Sequence, residues 1–326
     1  MKKISVRFGD LFKARYTLIW VLFLMIVMFS FSSSAFRSMA NLLGVLRNSG
    51  IDAILVLGLT WIVATGGIDV SFPDVAAFTS MITALLIKDG FQWGPTILIA
   101  LLCGTSFGLL SGFLIVHFKF PPLIATIGVS GIAKAMASLL GSGQPIEITR
   151  SGHLVDSLMF GDILGFPILF LIAIIIYLIS CYLQDQTAIG QYLYALGENR
   201  KAVLEAGIQE GKILFSLYTF SALMASVGGI LLTALLSSGQ PRIGFAFFLS
   251  GLTSVFIGAI IIKVGKANVI GTLIGVIILA VLSNGFTLLG IPYYIELIIK
   301  GMLLIIGIVI IEISKFKRRA NRIGVM

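Results

Sequence analysis

Few side chains in this sequence could do chemistry, and they fall into three groups. The first is GGIDVSFPD, Gly66 to Asp74, where Asp69, Ser71 and Asp74 accompany Gly66, Gly67 and Pro73. Carboxylates and a hydroxyl at a break between apolar runs suit the lining of a water-filled path through a membrane. The second is Gln184 to Lys212, the longest polar interval, which carries Asp185, Glu198, Arg200, Lys201, Glu205, Glu210 and Lys212. The third is a set of isolated ionisable residues in apolar surroundings: Lys134, Glu296 and Lys300. Glu296 and Lys300 are four apart and can pair on one helix face. The two histidines have no neighbouring ligand pattern, so neither catalysis nor a metal site is expected.

Composition says what must position these groups. The 326 residues are 58% hydrophobic and only 11% charged, and the mean hydropathy is +1.08. No soluble domain of this size hides so much apolar surface. The expected fold is all-α, a polytopic integral membrane protein. A formal charge of +9 does not point to nucleic acid, because the basic residues gather at helix ends and tails. Cys103 and Cys181 lie in apolar segments and read as small hydrophobes.

Ten apolar stretches follow in order: Thr17 to Phe36, Ile51 to Thr65, Val75 to Ile87, Thr96 to Val116, Leu123 to Leu140, Phe166 to Leu183, Ile213 to Leu236, Ile243 to Ile262, Asn268 to Leu289 and Tyr294 to Ile313. The first is uncharged and long enough to cross a bilayer, so it reads as an uncleaved span despite SSSAF at Ser32 to Phe36. Two full spans need about 40 residues, and Ile51 to Ile87 supplies 37. The break at GGIDVSFPD is therefore expected at the membrane edge or inside it, with Asp69 facing water. An ordinary turn at the headgroups is the alternative. Gly104, Gly108 and Gly112 form a small-residue stripe, and Gly271 and Gly275 repeat that spacing; both predict close helix packing.

Charge sets the orientation. With the N-terminus in the cytoplasm and strict alternation, 16 basic residues lie on the cytoplasmic side and 5 outside, with Lys134 and Lys300 within spans. That bias predicts about ten transmembrane helices with both termini cytoplasmic. It also puts Gln184 to Lys212 in the cytoplasm. Within that interval Glu198 to Gly207 reads as a short helix stopped at Gly207. Such an interval is either a solvated connector or a docking helix for a soluble partner.

Four stretches carry a family resemblance. GGIDVS at Gly66 to Ser71, FPPLIATIG at Phe120 to Gly128, ALGENRKAVLEAGI at Ala195 to Ile208, and NVIGTLIGVIILAVLSNGFTLLGI at Asn268 to Ile291 occur in order over nearly the whole chain. Together they resemble the permease subunits of bacterial ABC importers for ribose and related monosaccharides, whose corresponding motifs include GGIDLS and VPPFIATLG. The sequence departs from that pattern at Pro73, Asp74, Phe248 and Ser250, and at the turn Lys263 to Asn268.

The resemblance implies a single transmembrane permease domain, residues 1–326, with a cytoplasmic coupling loop at 184–212. It assigns ATPase coupling to Gly197, Glu198, Asn199, Arg200, Glu205 and Gly207; the break between the second and third apolar runs puts the translocation path at Gly66, Gly67, Asp69, Ser71 and Asp74. The resemblance also implies the bacterial cytoplasmic (inner) membrane. The chain has no GxxxxGK[ST] phosphate loop, so no cofactor is expected in it, and ATP and Mg belong on a separate ATPase subunit. Further expected partners are a periplasmic or lipid-anchored sugar-binding protein, a second permease subunit and membrane lipid. Gly141 to Gly165 and Ser237 to Arg242 are the expected docking surfaces for the binding protein. An ion-coupled secondary transporter stays open, with Asp69, Asp74, Lys134 and Glu296 as its coupling groups.

Overall fold

The computed structural model describes residues 8–149 and 152–322; Lys2, Lys3, Arg7 and Arg150 lie outside them. The first helices are α1 (Phe8–Ser32), α2 (Met39–Ala64), α3 (Phe72–Lys88), α4 (Trp93–Val116) and α5 (Pro122–Leu140). Then come β1 (Ile146–Glu147), α6 (His153–Phe160), β2 (Asp162–Ile163), β3 (Phe166–Pro167), α7 (Ile168–Gln186), α8 (Ala188–Glu198), α9 (Arg200–Glu205) and α10 (Glu210–Leu236). The chain continues through β4 (Ser238–Gly239), α11 (Gly244–Ile261), α12 (Val269–Leu288) and α13 (Tyr293–Arg322). Every strand has two residues, so the architecture is helical. Among the described residues, eight helices are long and apolar enough to cross a membrane: α2, α4, α5, α7, α10, α11, α12 and α13 through Ile313. The apolar part of α1, Leu18–Ser32, and the 17-residue α3 are shorter.

One expectation is corrected here. The apolar run at Ile51 is not where its helix begins. α2 starts at Met39, where Ser38 Oγ accepts from the Asn41 amide at 3.3 Å. Asn41, Arg47, Asn48 and Asp52 interrupt the hydropathy of this stretch without interrupting its backbone. With 26 residues in α2, the shortage inferred for 51–87 disappears.

The centre of the bundle is α10 packed on α2, α3 and α4. Glycines set those distances. A Cβ on Gly58 would sit 2.3 Å from Ser221 Cα, and one on Gly229 would sit 2.3 Å from the Ala76 carbonyl. The stripe on α4 faces the same helix: Gly104 meets Ser226, Gly108 meets Tyr218 and Ala222, and Gly112 meets Phe215. On the other side, α11 and α12 cross at Gly258 and Gly271, where each glycine abuts the other's backbone, and Gly275 abuts the Ser254 carbonyl. Backbones this close gain dispersion contacts that lipid cannot supply. Buried hydroxyls add bonds between helices: Trp61 to Ser180 at 2.7 Å, Thr60 to Thr272 at 3.1 Å and Thr233 to Ser80 at 2.8 Å.

Gly108→Leu is expected to force α4 from α10, since even a Cβ would lie 2.5 Å from the Tyr218 carbonyl oxygen. Overpacking of this kind costs about 1–3 kcal/mol or more. Thermal unfolding of the purified protein should shift downward, and an unchanged midpoint would contradict the packing described.

Candidate functional site

Two regions bring the polar side chains together, one at each end of the bundle. The first is built where α2 ends. Gly66, with φ of +81°, closes α2: its amide donates to the Val63 carbonyl, and the Gly67 amide donates to the Ile62 carbonyl. This is the pattern by which a left-handed glycine satisfies the last carbonyls of a helix. Three residues on, Asp69 turns the chain into α3. Its Oδ1 accepts from the Ser71 amide at 2.8 Å and from Ser71 Oγ at 2.6 Å, and its Oδ2 accepts from Ser221 Oγ at 2.7 Å on α10. Pro73 sits in the first turn of α3, where a missing amide hydrogen costs nothing.

Asp69 therefore does not face water. It is 1% exposed and Ser71 is 3% exposed, because α10 covers the turn with hydroxyls that replace the lost hydration. The expected water-facing segment is a tightly bonded corner. Asp74 is half-buried and accepts from Ser130 Oγ of α5 at 2.5 Å.

The long polar interval packs on this corner. It holds two helices with a break: α8, and α9, the short helix expected within Glu198 to Gly207. Asn199 has φ −154° and ψ 89°, ends α8, and caps α9 by accepting from the Ala202 amide at 3.2 Å. Gly207, with φ of +74°, ends α9, as the Ile208 amide donates to the Val203 carbonyl. A Cβ on Gly197 would lie 2.4 Å from the Ala64 carbonyl oxygen, and Gly66 lies beside it. Leu193, Leu196 and Val203 are buried, so this interval is seated on the bundle.

Ion pairs bolt the end of α7 and the end of α8 to the turn between α11 and α12. Lys263 pairs with Asp185, and Lys266 with Glu198 at 2.5 Å. Both ammonium groups lie over the Tyr194 ring, at 4.9 and 5.1 Å from its centroid. Burial, with Asp185 adding, pushes the Tyr194 phenol pKa up, so the ring stays neutral. Gln184 Oε1 accepts from the Val269 amide at 2.9 Å, at the first turn of α12. Arg200 forms a two-pronged pair with Glu210 at 2.6 and 2.8 Å, which raises the Arg200 pKa through those hydrogen bonds. Glu205 is exposed.

The second region is a cavity of about 320 Å³ toward the other end of α2, α11, α12 and α13. Its polar lining is Asn48 and Asp52 from α2, Ser250 and Ser254 from α11, Ser283, Asn284 and Thr287 from α12, and Lys300 from α13. Phe247 contributes an apolar wall. Val56, Gly251, Ser254 and Val276 form a buried floor toward the α8 end, whereas Asn48 and Thr287 are exposed. Below the floor, the Thr60–Thr272 bond and the Gly258–Gly271 crossing close the gap between helices. Lys300 Nζ reaches Glu296 Oε1 at 2.6 Å and donates to Ser250 Oγ at 2.8 Å, and Ser283 Oγ donates to Glu296 at 2.6 Å. Asn284 exchanges two amide bonds with Asn41, at 2.8 and 3.0 Å.

Sequence reasoning found the Glu296–Lys300 pair but missed Asn48, Asp52 and Asn284. One carboxyl group, an ammonium, amides and hydroxyls around one small volume can bind a polar solute, with Glu296 holding Lys300 from beside it. They offer no nucleophile held by a base.

The family described as "Branched-chain amino acid transport system / permease component" matches residues 41–308. The chain belongs to this permease family. Among its relatives is the Ribose import permease protein RbsC of Haemophilus influenzae, 31% identical over 88% of this chain and 90% of that one. The protein of that name in Escherichia coli K12 is 30% identical over 89% and 91%. The Autoinducer 2 import system permease protein LsrD of Escherichia coli HS is 28% identical over 78% and 79%. No solved structure matches. The permease is thus a multi-pass membrane protein whose described residues cover the matched region except for Arg150 and Ser151.

Gly197→Val is expected to lift α8 off the end of α2, since its Cβ alone would collide with the Ala64 carbonyl. The local cost should be about 1–3 kcal/mol. Limited proteolysis of the folded permease in detergent should cut faster within residues 187–208, and an unchanged rate would show that the contact carries no weight.

Proposed function

We propose that this chain is the membrane-spanning permease subunit of an ATP-driven ABC importer that carries a ribose-type monosaccharide across the bacterial cytoplasmic (inner) membrane. The observation that carries this reading is the likeness to ribose import permeases over about nine-tenths of both chains. The cavity suits a polar solute: beside Val45, Val56, Phe247, Val276, Leu279 and Ala280, its lining carries hydroxyl and amide groups, the Asp52 carboxyl and the Lys300 ammonium.

In this reading residues 1–326 form one transmembrane domain of ten spans with both termini in the cytoplasm, as the 16 to 5 basic bias favours. The shorter helices α1 and α3 count among the ten. The α8 end is then cytoplasmic, and the cavity faces outward. ATP and Mg are bound by a separate ATPase subunit, which rests against α8 and α9 near Gly197 to Gly207. Movement there reaches α11 and α12, which wall the cavity, through Lys263, Lys266, Tyr194 and Gln184. Packed helices move as rigid bodies, so such a bolt carries displacement over a distance.

A sugar-binding protein delivers substrate at the opposite face. There β1 pairs antiparallel with β4, Ile146 opposite Gly239 and Glu147 opposite Ser238. This pairing joins the two stretches expected to receive it. A second permease subunit completes the assembly, which is surrounded by lipid.

Uptake of labelled ribose by cells holding the complete complex should stop with vanadate and survive a protonophore. The opposite pattern would replace ATP-driven import with ion coupling. Tyr194→Ala combined with Lys263→Ala should lower uptake while permease and ATPase remain assembled; full uptake in that variant would remove the bolt from the mechanism.

A further inference from the structure

We propose that the cavity between α2, α11, α12 and α13 is a binding site for one neutral monosaccharide, and that Asp52 is the side chain by which the permease itself selects among sugars. The inference rests on the import reading above and adds to it a ligand site within this chain.

The argument starts from hydrogen-bonding capacity left over in the lining. Lys300 has three N–H groups; Glu296 and Ser250 occupy two of them. Ser283 Oγ spends its proton on Glu296 and keeps its lone pairs. The Asn284 amide gives one N–H to Asn41 and keeps the second. Asp52 lines the cavity with no hydrogen-bond partner among the described residues; the one charge acting on it is that of Lys300. Donors and acceptors are therefore both unspent around one volume. A carboxylate without a partner inside a helical bundle is costly, so a role toward a ligand accounts for it.

Those unspent groups define the ligand. Each sugar hydroxyl donates one hydrogen bond and accepts others, so one molecule can meet donors and acceptors together. Asp52 would accept from neighbouring hydroxyls, while Lys300 and Asn284 donate to others. Phe247 offers a wall for the C–H face of the ring. The volume of about 320 Å³ lies at the small end of ligand pockets, about 300–1,000 Å³, and suits one small molecule. Glu296 already pairs with Lys300, so the lining leaves no unpaired cation for a sugar phosphate or a free carboxylate. The exposed Asn48 and Thr287 and the buried floor at Val56 and Ser254 give the site one open end. A solute arriving at that end meets Asp52 before the closed helix crossings at Thr60 and Gly271.

The test uses the intact complex of permease, ATPase and binding protein, with Asp52→Ala and Asp52→Asn in the permease only. The readout is the ratio of ribose to 2-deoxyribose uptake, the latter lacking one hydroxyl. Permease level and assembly are scored in parallel, as is competition by ribose 5-phosphate. Losing a hydrogen bond to a charged group predicts a fall in ribose uptake of roughly tenfold or more in Asp52→Ala. The deoxy sugar should fall less, so the ratio should move toward one, with Asp52→Asn intermediate. The phosphate should not compete in the wild type. Unchanged ribose uptake and an unchanged ratio in both variants would overturn the proposal while leaving the import reading intact. An equal loss of both sugars with normal assembly would also overturn it, since that marks a structural role. A wild-type complex that takes up no neutral monosaccharide would overturn both readings.

Discussion

A polar group stranded in hydrocarbon costs several kcal/mol, and this permease is arranged so that few are stranded. Helices satisfy the backbone. Glycines at Gly58, Gly108, Gly229, Gly258 and Gly271 let those helices approach until backbone touches backbone. Hydroxyls of Ser80, Ser180, Ser221 and Thr272 then bond across the contacts. The corner between α2 and α3 depends on the same rule. Asp69 can be buried there because two serines and a backbone amide surround its carboxylate.

The Glu296–Lys300 pair follows from that constraint as well. Burying an ion pair loses hydration that mutual attraction alone does not restore, and it persists when neighbouring groups fill the remaining protons and lone pairs. Ser250 and Ser283 do so here. Ser250, one of the positions where the sequence departs from the family pattern, is where Lys300 lands. The departure at Lys263 to Asn268 has a comparable partner. Its two lysines meet Asp185, Glu198 and the Tyr194 ring, and Asn268 caps α12 by accepting from the Gly271 amide.

The two regions share their helices. α2 ends against Gly197 and carries Asp52 farther back; α12 starts at the Gln184 bond and ends at the asparagine pair. The α8 end and the cavity walls are thus parts of the same helices. The family description and the relatives' names refer to different cargoes.

The sequence by itself determined the class, since such hydropathy permits only burial in lipid. It also carried the family motifs, the small-residue stripes and the Glu296–Lys300 spacing, because each is a local property that helical periodicity makes readable. The tertiary structure alone decided how GGIDVS is packed: its carboxylate was expected to face water until α10, over a hundred residues away, supplied Ser221 and covered it. The start of α2 was hidden because Asn48 and Asp52 lower the hydropathy of a stretch that is helical throughout. Nothing near those two residues in the chain marks them. What distinguishes them is a shared volume with Asn284 and Lys300, and only packing of four helices creates that volume.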